Sequence, residues 1–173
     1  MVGASTRRKA IRKTTQPAGT NRRQGPVRVF VGGTFDGLHS GHLYLIRYAR
    51  EKGAVLARRS GRPGVHVSVV VARDESVLRI KKRRTHHNQD ERRELLASLK
   101  AVDEAIIGVP NDFILSVRRV DPDLIVLGYD QKAGWEGALR AAGIHAELVR
   151  CPAYQSRRLK SSKMRQDLAA MAT

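Results

Sequence analysis

The chain has 173 residues, 41% of them hydrophobic but only 5% aromatic, and a formal charge of +17 from 33 basic and 16 acidic side chains. That length suits one compact domain rather than two, no run is long and apolar enough to span a bilayer, and no secretory signal is expected from its start. The single cysteine, Cys151, excludes an internal disulfide and a cysteine-based zinc site, so a cytoplasmic protein is expected, and its charge favours polyanionic partners such as nucleotides or nucleic acid.

Residues 1–25 contain Arg7, Arg8, Lys9, Arg12, Lys13, Arg22 and Arg23 and no acid. They read as a disordered basic tail, for which a weak nucleic-acid contact is the functional alternative to a solvated extension. One folded domain is expected over 26–173. Residues 27–31 (VRVFV) form a β-branched run and predict a strand; 41–52 predict a helix with Leu43, Leu45, Ile46 and Tyr48 on or near its inner face. Residues 53–64 read as a Gly- and Arg-rich loop, and 65–71 (VHVSVVV) as a buried strand. A helix is expected over 89–100, a short strand over 105–107, and a helix over 112–120 stopped by Asp121-Pro122. Then follow a strand over 124–127, a helix over 131–142 ended near Gly143, a strand over 145–149 and a closing helix over 161–171. Strand and helix alternating in this way predict an α/β fold: a Rossmann-like parallel sheet of about five strands with helices on both faces, in a single domain. In such sheets ligands bind at the carboxyl ends of the strands, where the strand order reverses.

The first strand leads directly into Gly32-Gly33-Thr34-Phe35-Asp36-Gly37-Leu38-His39-Ser40-Gly41-His42. Two glycines allow a sharp turn, and the turn feeds a helix N-terminus, whose unpaired N–H groups and partial positive charge suit phosphate. His39 and His42 are three apart, so both can lie on one face of that first turn and donate to the same triphosphate. A metal site, for which no third ligand is evident nearby, and two unrelated capping or surface residues are the competing readings of the pair.

The segment Gly33-Thr34-Phe35-Asp36-x-x-His39-x-Gly41-His42 resembles the signature of the cytidylyltransferase-like nucleotidyltransferases. That resemblance implies that the two histidines stabilise charge on the phosphates, a task of positioning and electrostatics. The likeness continues through Ala72-Arg73-Asp74, Lys81, Arg83, Arg92, Leu99-Lys100-x-Val102-Asp103 and Gly128-Tyr129-Asp130-Gln131. It spans about Val27 to Met164 and is similar to the archaeal FAD synthase subgroup, which moves AMP from ATP to FMN. The resemblance therefore implies a nucleotidyltransferase domain over 26–173, ATP and FMN as substrates, Mg²⁺ accompanying the triphosphate, and a homodimer. A CTP-dependent transferase acting on glycerol 3-phosphate or a similar small phosphate, and a basic nucleic-acid-binding protein on the same scaffold, are the alternatives. Lys82 stands where the subgroup usually has glycine, and Thr85 and Asn88 where it usually has proline.

With His39 and His42, Lys81 is the third residue expected to be catalytic, within a run of four cations that would repel one another unless an anion sat among them. Nucleotide contacts are expected from Gly33, Thr34, Phe35, Ser40 and Gly41 around the turn. Arg92 could reach the same anion, a surface salt bridge with Asp90 or Glu91 being the alternative. Asp130, after the fourth strand, could accept from ribose or base or cap the next helix. The resemblance adds Tyr154, near the nucleotide, and Ser161, Ser162 and Lys163, which would hold the triphosphate from the other side. No protein-bound metal is expected, and Trp135 reads as a packing residue.

Overall fold

The computed structural model describes residues 24–131 and 134–154. The elements run β1 (Val27–Gly33), α1 (Ser40–Arg59), β2 (Val65–Val71), α2 (Asp74–Lys81), α3 (Gln89–Ala97), β3 (Glu104–Ile107), α4 (Phe113–Val120), β4 (Leu124–Leu127), α5 (Trp135–Ala141) and β5 (Glu147–Arg150). All strands pair in parallel, in the order β3-β2-β1-β4-β5. This is the expected α/β Rossmann-like sheet. The order reverses between β1 and β4, so the ligand crevice predicted by topology opens beside Gly32 and Gly33.

The strands are nearly continuous runs of Val, Ile and Leu because both faces of the sheet are covered. On one face, α1 and α3 bring Ile46, Ala49, Ala57 and Leu96 onto Val27, Val29, Val31, Val67, Val69 and Val71. On the other, Val117 and Val120 of α4 and Leu139 of α5 cover Phe30, Val70, Ile125 and Leu127. Burying each such side chain contributes about 1.5–3 kcal/mol against the entropy of ordering the chain.

Several boundaries depart from expectation. Residues 53–59 belong to α1 rather than to a loop. Gly53 does not end the helix; it is where the helix approaches the sheet, since a Cβ there would stand 2.7 Å from both Val29 Cγ2 and Val65 Cγ1. Residues 74–81, for which no element was expected, form α2, whose short amphipathic pattern is interrupted by exposed Leu78 and Ile80. α3 stops at Ala97 rather than 100. α5 starts at Trp135 rather than 131, with Gly134 at φ 106° as its N-cap, a conformation that favours glycine. Asp112 is the N-cap of α4 instead of its first residue, its carboxylate accepting from the Leu115 N–H at 2.7 Å. The expected closing helix over 161–171 and all but the end of the 1–25 tail lie outside the described residues.

Candidate active site

The chain leaves β1 and turns into α1 through residues 34–39. Phe35 takes the left-handed region at φ 54° while its ring is buried. Such a conformation costs a non-glycine residue on the order of 1–3 kcal/mol. The packing of the ring offsets it: the ring meets His42 edge-on, with centroids 5.3 Å apart. It also lies on Gly33, where a Cβ would stand 2.9 Å from Phe35 Cε2. Glycine at 33 is therefore required by the aromatic ring two residues later.

His39 caps α1. Its Nδ1 accepts the Gly41 N–H at 3.1 Å, and His42 Nδ1 accepts the His39 N–H at 3.4 Å. This is a capping box built from two imidazoles in place of a hydroxyl and a carboxylate. The rings stack 3.9 Å apart at 25°. Because both Nδ1 atoms accept, the hydrogen-bond network assigns the proton of each neutral ring to Nε2. Each ring thus turns one N–H donor away from its own backbone. Burial lowers the pKa of His39. Burial, then repulsion from His39 and Lys81, pushes that of His42 down to about 3, with Asp36 acting in the opposite sense. The pair is neutral at pH 7 and offers directed dipoles, not charges.

Charge comes from the surroundings. Lys81 is exposed at the end of α2, and its ammonium acts on His42 electrostatically. Ser40 is exposed in the first turn of α1, beside half-buried Gly41. Across the switch point, Gln131 Nε2 donates to the Gly32 carbonyl at 2.7 Å, joining the exit of β4 to that of β1. Arg150 Nη1 donates to the carbonyls of Gly128 and Gln131 and holds the same turn from β5. Asp130 is exposed on this turn and Gly134, not Asp130, caps α5. Tyr154 lies flat on Tyr44 of α1, centroids 4.6 Å apart at 15°, which carries the chain after β5 back to the helix that bears the histidines. Trp135 packs on Phe113 at 4.0 Å. Ser161, Ser162 and Lys163 lie outside the described residues.

Comparison with known proteins agrees with this fold. The Cytidylyltransferase-like family profile matches residues 30–167. The chain belongs to the cytidylyltransferase-like family. It is 40% identical over 143 residues to the FAD synthase of Thermococcus kodakarensis, covering 80% of this chain and 89% of that protein. It is 42% identical over 131 residues to the FAD synthase of Aciduliprofundum boonei, covering 74% and 80%. The crystal structure of a lipopolysaccharide core biosynthesis protein from Thermoplasma volcanium GSS1 superposes with a TM-score of 0.66 at 33% identity, covering 76% of this chain and 100% of that one.

In this cytidylyltransferase-like protein Arg92 does not stand at the surface. Its side chain is fully buried and paired with Asp74 of α2, not with Asp90 or Glu91. The guanidinium also donates to the carbonyls of Thr34, Ala72 and His87. It ties together the exits of β1 and β2 and the segment before α3. A buried guanidinium with four acceptors inside the fold is a structural clamp, so the geometry favours positioning over direct contact with an anion. Spacing alone placed Arg92 on the right helix but could not show which way it points.

The cytidylyltransferase-like signature also contains Asp36, to which sequence reasoning gave no task. Asp36 is buried, and its carboxylate accepts the N–H groups of His86 and His87 at 2.8 and 3.3 Å and pairs with Arg83 at 3.3 Å. A second carboxylate, Asp74, accepts from the Thr85 hydroxyl at 3.1 Å and the Gln89 N–H at 3.0 Å. The cationic segment 82–88 is thereby fastened across the turn that carries His39. The available signal was an acid in an otherwise apolar turn, which must find donors once buried.

Proposed function

We infer that the chain is an FAD synthase: it transfers AMP from ATP to FMN and releases pyrophosphate. The observation that carries this reading is the stacked His39–His42 pair, capping α1 at the switch point of a sheet whose sequence is 40% identical to an FAD synthase over most of its length. In the reaction a phosphate oxygen of FMN attacks the α-phosphorus of ATP. The bond from that phosphorus to the bridging oxygen of the β-phosphate breaks, and pyrophosphate leaves with the electron pair. The nucleophile is already an anion, so no general base is required, and the work is positioning and charge stabilisation.

Each residue then has a task. The Nε2–H groups of His39 and His42 donate to phosphate oxygens as negative charge shifts toward the leaving group. Lys81 adds a full positive charge beside them. Gly33, Thr34, Phe35, Ser40 and Gly41 shape the turn and the helix end that receive the phosphates. Asp130 accepts from the ribose or base, Tyr154 borders the nucleotide, and Ser161, Ser162 and Lys163 close on the triphosphate from the other side. The substrate form is the Mg²⁺ complex of ATP. Among the described residues there is no group of three or more His, Cys, Asp or Glu that could hold a metal. A homodimer, a cytoplasmic location and a weak nucleic-acid contact through the basic tail belong to the same proposal; no helix among the described residues is long and apolar enough to cross a membrane.

The test is chromatography of the protein with FMN, ATP and Mg²⁺, beside a reaction with CTP and glycerol 3-phosphate. An FAD peak with equimolar pyrophosphate is expected from the first and little product from the second. A CDP-linked product without FAD would replace this reading by the CTP-dependent one.

A further inference from the structure

We propose, on the FMN-dependent reading above, that Trp135 and Phe113 form the wall against which the flat isoalloxazine ring of the acceptor stacks. The chain contains one Trp and three Phe. Three of these four rings make one continuous ladder. Phe30 of β1 meets Phe113 edge to face with centroids 5.6 Å apart, and Phe113 meets Trp135 at 4.0 Å and 39°. The ladder runs outward, since Phe30 is buried while Phe113 and Trp135 are half-buried and keep open surface. Elsewhere on this face aliphatic side chains such as Val117, Val120 and Leu139 complete the core, so packing alone does not call for rings here.

Direct contact ties the ladder to the switch point. A Cβ on Gly32 would stand 2.9 Å from Phe30 Cε1 and 3.8 Å from Phe113 Cε2. The carbonyl of the same Gly32 accepts Gln131 Nε2 from the exit of β4. Phe113 opens α4 and Trp135 opens α5, so both rings stand at the carboxyl ends of the strands, where ligands bind in such sheets. Helices α4 and α5 cover one face of the sheet and α1 the other. The crevice beside Gly32 thus has the histidine pair on its α1 side and the aromatic ladder on its opposite side. An acceptor whose phosphate meets the histidines must carry its remaining bulk away from them. Flavin has a wide apolar three-ring face, which aromatic side chains bind by offset stacking. Adenine is the other flat ring of the reaction, but it is smaller and carries donors and acceptors around its edge. The ladder offers a single polar group, the Trp135 indole N–H, a donor only. Among the described residues that N–H has no hydrogen-bond partner. One open donor beside a broad apolar face suits a flavin and its ring carbonyls.

The variants are Trp135→Leu and Trp135→Phe in the full chain. Leu keeps apolar cover over Phe113 but removes the aromatic face, whereas Phe retains it. Equilibrium binding of FMN and of ATP is measured by calorimetry. The fluorescence of bound FMN is read in the same complexes, because an indole in contact with the flavin quenches it and a Leu or Phe side chain does not. Wild-type protein should bind FMN with strong quenching. W135L should weaken FMN by about 5–100-fold, the loss typical of one stacked ring, and leave the bound flavin bright and the ATP affinity unchanged. W135F should keep most of the FMN affinity and lose most of the quenching. Wild-type FMN affinity in W135L overturns the inference. Loss confined to ATP overturns it too, by giving the ladder to adenine, and equal losses of both ligands with a lowered melting temperature reduce Trp135 to packing. If W135L does not fold, W135F decides: flavin quenched there as strongly as in the wild type is not stacked on Trp135. FAD formation together with unaltered FMN binding by W135L removes the wall and leaves the functional reading standing. FMN binding that W135L weakens, with no FAD formed by the wild type, does the reverse.

Discussion

At the scale of single residues, the candidate site presents neutral imidazoles whose orientation is set by their own backbone. Each Nε2–H is aimed because the matching Nδ1 is engaged in the α1 cap. Replacing His39 or His42 by Ala should reduce kcat by about 10²–10³, the usual loss for one donor to developing charge, with smaller changes in substrate KM; single-turnover kinetics would check this. Acid sensitivity follows from the same burial. The folded-state pKa of His42 is about 3, below its ordinary value of 6.5. Between those limits the unfolded chain binds the proton and the folded chain does not, so stability is complete above about 6.5 and is lost as pH falls toward 3. The ligand-free protein should lose melting temperature between pH 7 and 4, and His42→Asn, which cannot titrate, should lose less. Parallel pH curves for the two proteins would show that His42 is not responsible.

Among the elements, α1 shows how one residue type is read in two ways. Gly53 and Gly137 both lie inside helices, but a Cβ at 53 would overlap Val29 and Val65, while one at 137 meets nothing within 4 Å. Gly53→Ala should therefore destabilise by about 1–3 kcal/mol through overpacking, and Gly137→Ala should be neutral or stabilising by about 0.4–1 kcal/mol through the unfolded chain. Urea denaturation of the two variants measures the difference in sign. Arg92 is the corresponding case between elements. Arg92→Met strands three carbonyls and leaves Asp74 without its buried partner. Each buried acceptor left unmet costs about 1–3 kcal/mol, so the melting temperature should fall sharply. A variant that kept its stability and lost only ATP affinity would return Arg92 to the nucleotide site.

For the whole molecule, the folded body begins slightly earlier than composition suggests. Arg62 donates to the carbonyls of Gly25 and Pro26 at 2.8 and 2.6 Å and pairs with Asp123, so Gly25, the last residue assigned to the basic tail, is already held by the loop before β2. Deleting residues 1–23 should leave melting temperature and turnover unchanged, because the removed segment has few apolar side chains to contribute to a core. A loss in either measurement would show that the tail is part of the domain. The larger pattern was readable from the chain alone. Strand runs such as 65–71 and 124–127 emerge with their limits intact, because a strand buried on both faces must be apolar throughout, a local property. The histidine motif was readable for a similar reason: cap, turn and helix lie within eleven consecutive residues. What depended on contacts distant in sequence was not. Gly53 resembles a helix stop until β1 and β2 are set beneath it, and α2 is too short and too exposed to announce itself. Asp36 acquires its role from peptide groups 50 residues away, and Arg92 from carbonyls at the exits of two strands that only the sheet makes neighbours. Sequence by itself determined the fold class and the family, since the strand runs and the histidine motif are short-range patterns. The tertiary structure decided that Arg92 is spent inside the fold, because the direction of a long side chain is set by the partners that meet it.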